Sequence, residues 1–195
     1  MVSDRYKPNH RPMKYLSLLF CLLLAFPALS QSNYCLSDLK AGNFNLQNRQ
    51  LVFEKEYNNP MAMTILEKKI KSLNSVNSGM QVKSLTDHGL NGVMIRYPLD
   101  WTAPGFKSRK ISKFLKLPVN AIFEVKSEEN SYKVRITGIW FSNTINPGSE
   151  QHLALENMVL IKNGFAISKK KKTLRALSIL DENLEQMFRG KPNSW

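Results

Sequence analysis

The sequence predicts an α+β fold, a curved antiparallel sheet of about five strands with helices packed on one face. Three observations predict it. Residues 119–141 hold two runs rich in β-branched and aromatic residues on either side of a polar break at 127–131, the pattern of an antiparallel hairpin. A helical stripe of Leu174, Leu177, Leu180, Leu184, Met187 and Phe188 closes the chain. Between the N-terminus and that stripe the elements run strand, helix, two strands, linker, long hairpin and helices, an order that lays helices against an antiparallel sheet.

The N-terminus is set aside first. From Met13 the chain reads MKYLSLLFCLLLAFPALSQS: a lysine, an apolar run, a proline, and the small-residue signal Ala28-Leu29-Ser30. This predicts a secretory signal peptide cleaved after Ser30, with residues 1–12 as an upstream extension. The apolar run from Tyr15 to Phe26 is shorter than the roughly 20 residues a bilayer-crossing helix needs. Phe20 and Tyr34 stand where a lipid-anchored cysteine needs a small neighbour. Export places the chain in a periplasmic or secreted setting, with no transmembrane helix in the mature protein. Cys21 leaves with the signal, so Cys35 has no partner for an internal disulfide, and no flanking cation activates its thiol.

Residues 31–47 are polar and read as a flexible lead-in to one α+β domain over 48–190, with 191–195 as a tail. Leu51, Phe53 and Tyr57 share one face of a first strand over 49–57. Asn58-Asn59-Pro60 then opens a helix whose Met63, Leu66, Ile70 and Leu73 form the stripe any helix laid on a sheet requires. Residues 80–85 and 90–97 are strands joined by Thr86-Asp87-His88-Gly89, with Gly89 read as the positive-φ residue of the turn and His88 as an exposed tip. In the long hairpin Tyr132, Val134, Ile136, Gly138 and Trp140 point to the core, while Lys133, Arg135 and Thr137 face water. Residues 142–148 read as a loop, 149–162 as a short helix and 165–167 as a brief strand. The final helix, over 173–189, stops at Gly190 and Pro192, with Glu182 and Glu185 facing water.

Charge is the strongest compositional signal. The chain has 28 Lys plus Arg against 15 Asp plus Glu, and removing residues 1–30 leaves 24 against 14, a mature net charge of +10. Such a balance attracts polyanions. Two stretches concentrate it. Residues 106–117 carry Lys107, Arg109, Lys110, Lys113 and Lys116 with no acid, and their apolar spacing fits helix and strand alike. Lys169, Lys170, Lys171 and Lys172 form the second run. Each reads either as a solvated face or as a contact with an anionic surface.

Catalytic chemistry finds no constellation. His88, His152, Glu150 and Asp87 are scattered, no carboxylate pair has acid–base spacing, and no glycine loop cradles a phosphate. The sequence therefore predicts no enzyme, metal or cofactor.

The stretches VFEKEYNNPMAMTILEKKI (52–70), DHGLNGVMIRY (87–97) and FEVKSEENSYKVRITGIWF (123–141) resemble an exported bacterial family of unknown function whose domain is similar in fold to TATA-binding protein. The resemblance covers about half of the chain. It implies a TBP-like fold and export, and brings no activity or catalytic residue with it. Glu129-Asn130-Ser131 stands where that family has a tight Asp-Gly-type turn. A shape shared with a DNA-binding protein is no ground for DNA binding, and export points away from nucleic acid. The reading is an exported, non-enzymatic binding or accessory domain that uses its concave sheet or its basic stretch. The alternative is peripheral binding to anionic lipid or glycan surfaces, with a hydrolytic enzyme a distant third.

Overall fold

The computed structural model describes residues 38–58, 63–72, 79–100, 111–146 and 149–189. The expected signal peptide, Cys35, the expected helix start at Asn59-Pro60, Leu73 and the expected tail fall outside them. Within the expected lead-in, β1 (Lys40–Ala41) and β2 (Phe44–Gln47) precede β3 (Gln50–Tyr57). The lead-in is thus corrected over 38–47. Asn48 and Arg49 both take positive φ, 50° and 64°, the backbone a two-residue hairpin turn needs. That turn sets Phe44 opposite Phe53, and the rings meet edge-on at 5.6 Å. Helix α1 (Met63–Ser72) buries Met63, Leu66 and Ile70 as its spacing predicts.

Strands β4 (Gly79–Thr86) and β5 (Gly89–Tyr97) form the expected hairpin. The role of Gly89 differs. Its φ is not positive; a Cβ there would run into the carbonyl oxygen of Val125, so the glycine serves close approach of β5 to its neighbour. Residues 113–116 form neither α-helix nor strand but a single 3-10 turn (Lys113–Lys116), anchored by buried Ile111 and Leu115.

Strands β6 (Val119–Ser127) and β7 (Tyr132–Asn146) make the long hairpin. Alternation holds through Tyr132, Val134 and Ile136 and then breaks. Gly138, at φ 60°, sits in a register shift that leaves an extra residue on β7, so Ile139 and Phe141 turn inward and Trp140 outward. Trp140 is half-buried against the His152 ring, not in the core. Asn120 manages this irregular corner: buried, it accepts the Arg96 N–H (2.9 Å) and donates to Ser142 Oγ (2.9 Å).

The expected loop and helix after residue 141 are also corrected. β7 continues to Asn146 and pairs with β8 (Ser149–Ala154), because β3 covers β7 only as far as Ile136 and leaves its second half needing a partner. Helix α2 is short (Leu155–Val159), followed by β9 (Leu160–Ile161) paired with β10 (Ala166–Ile167). Helix α3 (Lys171–Phe188) carries the expected stripe except for Leu174, which is exposed, and it adds Ala176 and Ile179.

The main sheet has eight strands rather than about five, in the order β1-β2-β3-β7-β6-β5-β4 with β8 beside β7, all antiparallel. Bulges in four pairings bend it. One apolar core joins the inward residues of β3, β5, β6 and β7 to α1, α2 and α3. The opposite face carries Lys133, Arg135, Glu124 and Lys126. This is an α+β layer fold.

The sheet and α1 hold α3 by its C-terminal end, where the last helix carbonyls run short of intrahelical donors, although Glu185 O also accepts from Arg189 N (2.9 Å). Tyr57 Oη donates to Glu185 O (3.0 Å), Tyr132 Oη to Phe188 O (2.6 Å), and Lys69 Nζ to Gln186 O (3.2 Å) and Arg189 O. The two tyrosine rings stack at 4.8 Å. Burial, with smaller help from Tyr132 and Glu185, pushes the Tyr57 hydroxyl far above the ordinary tyrosine range, so it remains a donor. Glu185, expected to face water, is half-buried and paired with Lys55 (3.4 Å) and Arg189.

Asp181 ties the same helix to the β1–β2 turn, accepting from Asn43 Nδ2 (2.7 Å) and Asn43 N (3.3 Å). Burial outweighs these bonds and raises its pKa from the ordinary 3.8. The folded state therefore holds this proton more tightly than the unfolded chain does. The group's contribution to stability falls as pH rises from 3.8 through the folded value. Asp181→Asn is expected to remove that slope. Denaturation of both proteins at a series of pH values should show wild type losing ground to the variant as pH rises, and parallel curves would contradict the assignment.

Candidate functional site

The 3-10 turn is positioned by its own sequence. Ile111 and Leu115 go into the core, and Phe114 is half-buried with its ring edge-on to Phe141 at 5.1 Å. Leu115 N donates to Ser112 O (3.1 Å) and Leu117 N to Phe114 O (3.0 Å), which closes the turn and leaves Lys113 and Lys116 exposed. Beside it lie β8, α2 and the first turn of α3. The elements enclose a groove of about 540 Å³. Phe114, Leu117, Leu153, Met158 and Val159 give it an apolar lining, to which Ser112, Asn143 and Thr173 add polar groups. Among the described residues Lys113 and Lys172 are its charged lining, and no carboxylate joins them.

The two basic stretches, more than fifty positions apart in sequence, thus meet at one groove. Their members divide. Lys113 and Lys172 line it, and Lys116 is exposed on the same turn as Lys113. Lys169 reaches Asp38 (3.9 Å), which Lys162 also approaches (3.9 Å), and lies outside the lining. Lys170 and Lys171 are exposed at the start of α3. Lys107, Arg109 and Lys110 lie outside the described residues. Leu117 and Met158, which the sequence analysis placed at no site, also line the groove.

The electrostatics of α3 point the same way. Its first turn carries no acid and no side-chain cap, only Lys171 and Lys172 after Lys169 and Lys170. Cations at a helix N-terminus oppose its dipole by about 0.3–1 kcal/mol each, and an anion placed there offsets that cost. Neither Lys113 nor Lys172 makes an ion pair with a side chain among the described residues.

The far face of the sheet offers a different surface. A shallow depression of about 480 Å³ there is lined in part by Ile95, Ile122, Trp140, Arg96 and Glu150. Its two charges pair, Arg96 with Glu150 (3.6 Å), and elsewhere on the same face Lys126 pairs with Glu124 (3.3 Å) and Arg135 with Glu54 (2.6 Å) and Gln47 (2.9 Å). Core side chains fill the helix-covered face among the described residues. His88 is exposed at the β4–β5 turn and His152 is exposed on β8; neither lines the groove or the depression. Among the described residues no three His, Cys, Asp or Glu side chains gather to hold a metal, and no helix is long and apolar enough to cross a membrane.

No protein-family model matches the chain, and no curated protein matches it. Two solved structures are similar. One is a DUF4468 family protein from Bacteroides ovatus, 15% identical, with a TM-score of 0.47 over 84% of this chain and 99% of that one. The other is a TBP-like protein from Parabacteroides distasonis, 12% identical, with a TM-score of 0.44 over 73% of this chain and 92% of that one.

Proposed function

We propose that the chain is an exported, non-enzymatic binding domain whose ligand is anionic and is taken at the groove beside the 3-10 turn. The meeting of Lys113 and Lys172 over an apolar lining, with no carboxylate among the described residues there, supports this reading. Each cation near an anionic partner contributes roughly 1 kcal/mol before screening. The direct test uses an anionic apolar dye, anilinonaphthalene sulfonate, on the folded protein. Lys113→Glu with Lys172→Glu is expected to weaken dye binding about tenfold or more, while Lys126→Glu with Lys133→Glu on the far face leaves it unchanged. Equal loss in both pairs would show a nonspecific charge effect and overturn the site.

A second reading, attachment to anionic lipid or glycan surfaces, is favoured by the exposed Lys116, Lys170 and Lys171 around the same groove. Binding to phosphatidylglycerol vesicles or heparin that collapses between low and moderate salt supports it. Export is checked separately: the mature protein should begin at Gln31, and a chain retaining Met13 would contradict cleavage.

A further inference from the structure

We propose that the occupant of the groove is a monomeric long-chain carboxylate, its alkyl chain lying on Phe114, Leu117, Leu153 and Met158 and its head group held between Lys113 and Lys172. This rests on the binding reading above and names its ligand class. Three features select it. The exposed lining is mainly apolar, and an alkyl chain laid on Phe114, Leu117, Leu153 and Met158 brings no donor or acceptor that would need a partner there. The charges are of one sign and at most two in number, which suits one small head group better than a polyanionic glycan. A volume of about 540 Å³ is in the range of sites that enclose one small ligand; a single chain is such a ligand, and the paired chains of a membrane phospholipid are not. Met158, 38% exposed at the groove, is an apolar side chain that such a ligand would cover. Relief of the cationic start of α3 by the carboxylate adds to the fit.

The test measures palmitate, kept below its aggregation threshold, on the purified protein by calorimetry or by displacement of anilinonaphthalene sulfonate. One palmitate per chain is expected, with hexadecanol at least tenfold weaker because it lacks the charge. Met158→Trp, which fills the groove from its exposed side, should weaken palmitate at least tenfold with thermal unfolding unchanged, as should Lys113→Glu with Lys172→Glu. Equal binding of palmitate and hexadecanol, or indifference to Met158→Trp, overturns the proposal. If palmitate fails while the sulfonate dye or phosphatidylglycerol vesicles still bind in a Lys113- and Lys172-dependent way, the ligand class falls and the binding reading stands. If palmitate, dye and vesicles all fail, both fall.

Discussion

Phe123→Ala is expected to lower the unfolding free energy by about 3–5 kcal/mol, the usual cost of emptying a fully buried aromatic position. Phe123 is wholly buried in β6, an interior strand between β5 and β7. Its ring lies 5.6 Å from that of Phe188 at the end of α3 and occupies the hollow over Gly92, where no side chain competes. The ring therefore joins three layers of contact: its own strand, the neighbouring strand and the helix clamped by Tyr57 and Tyr132. Rigid backbone on the sheet side limits collapse into the void. Against a typical domain stability of about 5–15 kcal/mol, the loss is a large fraction. Urea denaturation should show a lower midpoint with an unchanged slope. Phe123→Leu, which keeps most of the volume, should cost less than half as much. A loss below about 1 kcal/mol for the alanine variant would mean the ring is not the keystone of this core.

How far the sequence foretold this architecture depends on how far each element's own residues dictate it. The start of the long hairpin was legible because Tyr132, Val134 and Ile136 alternate with charged residues and the pattern is cut by a polar turn. It ceased to be legible at Gly138, where one positive-φ residue shifts the phase and exchanges Trp140 for Ile139 and Phe141. A glycine inside a strand is a bulge signal, and it was present. β1 and β2 are too short to show a period, though Asn48 at the turn and Phe44 with Leu46 before it were a usable hint. β8 could not be read from itself: its residues are mostly exposed, and it is a strand because β7 outruns β3. The last helix was legible because its stripe spans its length.

The site divides in the same way. Both basic runs were visible as composition, but their meeting was not, since a tertiary contact across more than fifty positions leaves no local period. Nor could Leu117 and Met158 be told from core residues, because an apolar side chain looks the same whether its far side meets protein or an open groove. What could have been read is the anomaly at residues 169–172. Four cations across the start of a helix, where acids are favoured, are a local conflict of the kind that gathers at functional sites.

Gly92→Ala is expected to cost about 3 kcal/mol, at the upper end of overpacking substitutions, although it adds a single methyl group. Its Cβ would fall inside contact distance of the Gln81 carbonyl oxygen on β4 and of the Phe123 ring, whose Cε1 would stand at 2.8 Å. The ring can tilt; the carbonyl is part of the β4–β5 ladder, where Val82 pairs with Gly92 itself. Relief therefore requires β4 to move away from β5, and β4 is an edge strand with no other sheet partner. The damage should accordingly be local as well as global, with hydrogen-exchange protection lost first along residues 79–86. Gly138→Ala supplies the contrast. Its φ is 60° but no atom lies within 4 Å of the added methyl, so it should cost only the left-handed penalty of about 1–2 kcal/mol. Adding Phe123→Leu to Gly92→Ala separates the two contacts. If the ring were the obstacle, the double variant would lose less than the sum of the singles by most of the Gly92→Ala cost; if the carbonyl dominates, the two losses nearly add. Near-additivity is the expected result, because a backbone oxygen held in a ladder has nowhere to go.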